Sequence, residues 1–399
     1  MKKSVLGCLC LTALLTACTP QVADNEYLIA GTVTDVPDST VVHLQKLNDQ
    51  FFTAVACDTV MQGRFELRDT VSSSQRLCLT INGKGYPNYL LNLWVAPGQY
   101  IELKGNGKLF PLWDVKSDIA EQQEENRFAN YTREPQKQIL EYNIQESDIL
   151  TVLSDKKHQG NKEYQEAAWN KIDSIQRLSV PFMLERTRME VECMKTAPVS
   201  QIWLEKLETN ATLTRFAAAD TAFQDYAAFI APLKELYMTL PDSIKQTATA
   251  QKAYHALFPK IKAGDVMTDG TLYDPDGNEH HLAEFKGQYI LLDFWSQTCG
   301  PCRRAIPELE EVARTYAGRL TVVCISTDPK EVWKQCLQIK GMKGIQWNEL
   351  RNDGGGLQAD YGVQGLPHYV LIAPDGKVKH VWAGYWKGVI RTILETHIN

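Results

Sequence analysis

The hydrophobic pattern divides the chain into three stretches with different periods. Through the first hundred or so residues, apolar and polar positions alternate in short β-rich runs: Tyr27–Val33, Val41–Leu47, Arg64–Arg68, Leu77–Ile81, Tyr89–Val95 and Tyr100–Leu103. Pro37-Asp38, Gly63, Asn82-Gly83 and Pro97-Gly98 separate them as turn signals. The pattern predicts an all-β sandwich or barrel, antiparallel, over residues 27–108. Over residues 109–258 glycine becomes scarce and apolar residues recur at three and four, which predicts helices at Asp118–Tyr131, Glu163–Lys195, Ser200–Leu207, Thr221–Tyr237 and Ser243–Leu257. Pro198-Val199-Ser200 and Pro241-Asp242-Ser243 mark two of the starts. From 259 to 399 strands and helices alternate. A hairpin about Asp276-Gly277-Asn278 precedes an apolar strand ending at Trp295, and a second buried strand spans Leu320–Ser326. A helix follows at Glu331–Ile339, then a hairpin about Pro374-Asp375-Gly376 and a closing helix from Gly388. Such alternation predicts an α/β domain with a parallel core and an antiparallel edge.

The amino terminus has a different character. Lys2 and Lys3 precede an apolar run from Val5 to Leu15, the pattern of a secretion leader. Leu15-Thr16-Ala17-Cys18 resembles the lipobox of bacterial lipoproteins. That resemblance implies a signal peptide at residues 1–17, a lipid on Cys18, and a tether over 18–26 holding the protein to the bacterial cell envelope. No later segment is apolar for the ~20 residues of a membrane helix, so the expectation is anchoring rather than spanning.

Composition changes this picture little. The chain has 399 residues, enough for two or three domains, and its formal charge of −6 contains no basic run, which argues against nucleic acid as a partner. Of ten cysteines, three lie in the leader, and the other seven form no regular framework, so a disulfide-stapled scaffold is excluded. Cys57 and Cys78 leave open a bridge or two free thiols, and Cys193 has no evident partner.

The chemistry gathers at Tyr289–Cys302, read Y-I-L-L-D-F-W-S-Q-T-C-G-P-C. A buried strand runs into two cysteines, and beyond them Ile306, Leu309, Val312, Ala313 and Tyr316 fall at helical spacing. Cys299 therefore stands at a helix N-terminus, where free amides and the helix dipole favour the thiolate that attacks disulfides. Cys302 lies one turn further in.

This segment resembles the active site of thioredoxin, and residues 264–384 resemble the TlpA/ResA-like branch of envelope thioredoxins. Asp293, six residues before Cys299, matches the buried acid of that family; Pro307 matches the proline of its active-site helix; Gly365-Leu366-Pro367-His368 matches the loop carrying a cis-proline. Thr298 departs from the tryptophan of many relatives. The resemblance implies a thioredoxin fold with Cys299 and Cys302 as a redox-active disulfide and Asp293 as the proton acceptor for Cys302. Trp295, Gly300, Pro301, Leu366 and Pro367 would position the client. It implies no cofactor and no metal, client proteins with disulfides as partners, and a membrane thiol reductant as electron donor. Cytochrome maturation is one setting for such proteins. The β stretch resembles a domain of unknown function that precedes redoxin modules in such lipoproteins.

Three other readings compete with this one. A metal site would need His368 beside the two cysteines, since no second CxxC exists. A peroxiredoxin would need proline seven residues and Thr or Ser three residues before its reactive cysteine; here Leu292 and Ser296 stand there. A non-catalytic binding lipoprotein would use the first two stretches and keep the third as a remnant.

Overall fold

The computed structural model describes residues 21–48, 51–155, 161–215, 221–340, 342–351 and 355–398. The expected leader and Cys18 lie outside them. The chain divides into two compact units: residues up to 82 with 89–123, and 83–88 with 124–399.

The first unit contains eight strands among the described residues: β1 (Glu26–Thr34), β2 (Val41–Asn48), β3 (Phe51–Thr59), β4 (Arg64–Thr70), β5 (Gln75–Thr80), β6 (Leu91–Val95), β7 (Gln99–Asn106) and β8 (Asp114–Lys116). They form two separate four-stranded sheets, ordered β4-β1-β7-β8 and β3-β2-β5-β6, rather than a closed barrel. The pattern predicted neither β3 nor β8, because β3 alternates weakly and β8 is only three residues long. The antiparallel expectation also fails at one place: β1 pairs with β7 in parallel, Tyr27 opposite Gln99 through Thr34 opposite Asn106. Pairing between strands so distant in sequence leaves no trace in local alternation. On its other side β1 pairs with β4, where Gly31 lies opposite Phe65 and a Cβ on it would stand 2.1 Å from that ring. Cys57 is exposed and Cys78 buried, and neither is part of a disulfide, so no bridge joins them.

The helical stretch runs α1 (Ala120–Tyr131), α2 (Arg133–Ser154), α3 (Lys162–Thr196), α4 (Gln201–Leu213), α5 (Ile230–Met238), α6 (Asp242–Lys245) and α7 (Ala248–Leu257). Ser200 caps α4 as its sequence predicts, accepting the Trp203 N–H at 3.0 Å. Two expectations are corrected. The span Thr221–Tyr237 is a 3₁₀ turn over Thr221–Phe229 followed by α5, and Ser243–Leu257 is split into α6 and α7. The helix α2 was not predicted; its Pro135 sits in the first turn, where the missing N–H has no intrahelical partner to lose. Helix α2 lies antiparallel to α3, with Arg186 donating to Gln136 at 3.1 Å, the Tyr142 and Phe182 rings 6.1 Å apart, and Gln176 donating to Glu146 at 2.8 Å.

The remaining residues build β9 (Leu272–Tyr273), β10 (Glu279–His280), β11 (Tyr289–Trp295), α8 (Gly300–Thr315), β12 (Leu320–Ser326), α9 (Lys330–Lys340), β13 (Ile345–Asn348), α10 (Gly356–Asp360), β14 (His368–Ile372), β15 (Val378–Ala383) and α11 (Val389–His397). They form a seven-stranded sheet ordered β10-β9-β13-β12-β11-β14-β15. Strands β11, β12 and β13 are parallel, and both edges are antiparallel rather than one. Side-chain alternation along β11 sends Leu291 towards α8 and α11, and Ile290, Leu292 and Phe294 into the core on the opposite face. The expected class stands: an N-terminal β region, a helical middle, and a C-terminal α/β thioredoxin-like fold.

Candidate active site

Strand β11 ends at Trp295, and four residues later Cys299 is the N-cap of α8, with Pro301 in the first turn, where its fixed φ suits a helix start. Cys299 and Cys302 are joined as a disulfide with Cα atoms 5.3 Å apart. The Cys302 N–H donates to the Cys299 sulfur at 3.1 Å, so one free amide of the helix terminus is aimed at that atom. Cys299 is half-buried, whereas Cys302 is only 4% exposed. The Leu366–Pro367 peptide bond is cis, and Leu366 packs on the cluster that contains Trp295 and Cys302.

Asp293 is 3% exposed and lies behind this pair. Burial pushes its carboxyl from the ordinary 3.8 to about 7, while the neighbouring Cys324 thiol pulls the other way. Its Oδ1 has no hydrogen-bond partner among the described residues. Asp293 and Cys302 line one cavity of about 510 Å³ between α8 and the sheet. A carboxyl of this kind can take a proton near neutral pH, which a solvated aspartate cannot do.

Two features escaped the sequence. Glu308 is buried on α8, and its carboxylate accepts the Gly388 and Arg391 N–H groups at 2.8 and 2.9 Å and the Tyr385 hydroxyl at 2.9 Å. It thus caps α11 and ties the cysteine-bearing helix to it. The spacing of apolar residues hides this, since Glu308 reads as one more solvent-facing charge. The second is Arg304, two residues after Cys302. Its guanidinium pairs with Asp173 of α3 at 2.9 Å and lies 4.7 Å from the centre of the Trp169 ring. Lys387 pairs with Glu166 on the same helix.

His368 does not meet the two cysteines as a metal-site reading requires. It pairs with Phe294 across β14 and β11, and therefore faces away from Asp293 on the other side of the sheet. Burial holds its imidazole down to about 3, in the neutral form. Leu292, where a peroxiredoxin would have proline, is buried within β11, and the Ser296 hydroxyl meets Thr298 at 3.3 Å.

Known proteins resemble this third of the chain. The family model described as AhpC/TSA matches residues 263–381. The thioredoxin-like protein YneN of Bacillus subtilis is 29% identical over 31% of this chain and 73% of its own length. The thiol-disulfide oxidoreductase ResA of Bacillus cereus is 28% identical over 33% of this chain and 75% of its own. The C-terminal third is thus similar to TlpA/ResA-like thioredoxin-fold oxidoreductases. Among solved structures, the thioredoxin domain of a thiol-disulfide oxidoreductase from Bacteroides vulgatus aligns over 35% of this chain and 99% of its own, with 28% identity and a TM-score of 0.32. No helix among the described residues is long and apolar enough to cross a membrane.

Proposed function

We propose that this protein is a lipid-anchored thiol-disulfide oxidoreductase of the bacterial cell envelope that reduces client disulfides through Cys299 and Cys302. The observation that carries the reading is the pairing of an accessible helix-capping cysteine with a buried one that shares a cavity with a carboxyl poised near neutral pH. In the reduced protein the Cys299 thiolate attacks one client sulfur, and the other leaves as a thiolate. The Cys302 thiol passes its proton to Asp293 and attacks the Cys299 sulfur. The second client sulfur is thereby released, the protein is left as the disulfide, and both client thiolates take protons from water. A dithiol donor at the membrane then returns two electrons. Trp295, Gly300, Pro301 and Leu366 border the path of approach. Pro367, which has no N–H, leaves room for a client strand.

The trap is Cys302→Ser. It keeps the attacking thiolate and removes the resolving one, so clients accumulate as mixed disulfides on Cys299, while Cys299→Ser/Cys302→Ser holds none. Equal recovery from both would refute the exchange and favour a binding lipoprotein. The clients recovered also decide whether cytochrome maturation is the setting. Anchoring rests on Leu15–Cys18; Cys18→Ala should lose lipid labelling, and unchanged labelling would remove the anchor. The AhpC/TSA match favours a second reading, peroxide reduction. Peroxide consumption that outpaces disulfide turnover would favour it.

A further inference from the structure

Asp293 is one member of a row of polar side chains that crosses four adjacent strands at a single level. Strand register sets Asp293 opposite Tyr369 of β14 on one side and Cys324 of β12 on the other, and sets Cys324 opposite Gln346 of β13. Directly paired residues share a face, so Asp293, Cys324 and Gln346 all line the cavity that Cys302 enters from α8. Register thus sets the Cys324 side chain beside the Asp293 carboxyl, with Gln346 next along the row. Disulfide exchange through Cys299 and Cys302 gives Cys324 no part.

We propose that Cys324 is a positioning residue, whose thiol holds the Asp293 carboxylate in the ionised, cavity-facing form that accepts the proton of Cys302. The claim rests on the redox reading of this site. An S–H donor stabilises the ionised carboxylate it faces more than the protonated carboxyl, which is the weaker acceptor. Burial pushes the Cys324 thiol well up, so it stays protonated and remains a donor throughout the neutral range. Other groups face Asp293 without replacing this contact. From α8, Cys302, Arg303, Glu310 and Arg314 line the shared cavity, and Lys343 does so from the segment entering β13. From β14, Tyr369 is buried with its hydroxyl unpartnered, and Tyr385 and Glu308 stand behind it. From α9, Cys336 joins the cluster that holds Cys302 and Cys324. None of the three cations forms an ion pair with Asp293 among the described residues. The thiol is therefore the group that biases its charge.

The test compares Cys324→Val, which fits the strand without a donor, with Cys324→Ser, which restores one; Cys324→Ala replaces valine if that variant does not fold. The Asp293 carboxyl is titrated by carbon NMR in the oxidised protein, and the rate of the second thiol step is followed against pH in the reduced one. In the valine variant both midpoints should move up together, on the order of one pH unit, as expected for losing a hydrogen bond to a charge. Serine should bring both back. An unmoved Asp293 titration overturns the proposal, and so does a moved titration with an unmoved rate profile. A wild-type protein without disulfide turnover, but with a moved Asp293 midpoint in the variant, would remove the redox reading while the Cys324 contact stood.

Discussion

Asp293 makes a prediction about stability that is independent of any client. In the unfolded chain its carboxyl ionises at the ordinary 3.8, and in the folded protein only at about 7. Between those values the native state holds a proton that the unfolded state has lost. Stability from this group is therefore complete below pH 3.8 and declines as pH rises through about 7. For a single site with these two values, roughly 3 kcal/mol disappears between pH 5 and pH 8. Asp293→Asn removes the titration. Asparagine brings its own burial cost, so the absolute difference between the two proteins at one pH decides nothing. That cost is the same at both pH values, and the other titrating groups are common to both proteins. The measurement is denaturant unfolding of both at pH 5 and pH 8 with the disulfide closed. Relative to the wild type, the variant should gain roughly 3 kcal/mol on going from pH 5 to pH 8. The same substitution should slow the second thiol step by about a hundredfold or more, since its proton acceptor is gone. A stability difference that does not change with pH would show that Asp293 ionises normally, and the proton-acceptor role would fall with it.

Limited alkylation of the reduced protein should mark Cys299 first, since it is half-exposed at the helix terminus while Cys302 is only 4% exposed; earlier labelling of Cys302 would reverse the two roles. Arg304→Ala should destabilise the protein by about 2 kcal/mol, because it leaves a mostly buried Asp173 without its charged partner, and an unchanged denaturation midpoint would show that the α3–α8 contact contributes nothing.

What local pattern can carry was legible in the sequence. A strand that breaks at Cys299-Gly300-Pro301-Cys302 and continues as a helix needs only alternation, spacing and helix-start chemistry, all contained within about thirty residues. The acid six positions earlier and the proline of the Leu366–Pro367 loop were found through resemblance. Helix α3 and the Ser200 cap were read from their own residues for the same reason. Tertiary structure decided whatever depends on which segments meet. The parallel pairing of β1 with β7 joins strands about seventy residues apart, and neither strand's composition specifies it. The charge state of Asp293 is set by the depth of its burial, which one residue in a strand does not reveal. The register of β12 against β11 sets Cys324 beside that carboxyl, which nothing in its own strand specifies. Glu308 and Arg304 looked like surface charges on an amphipathic helix, and became a cap and a clamp once α11 and α3 packed against them. Periodicity tells which face of an element is buried; only the fold tells against what.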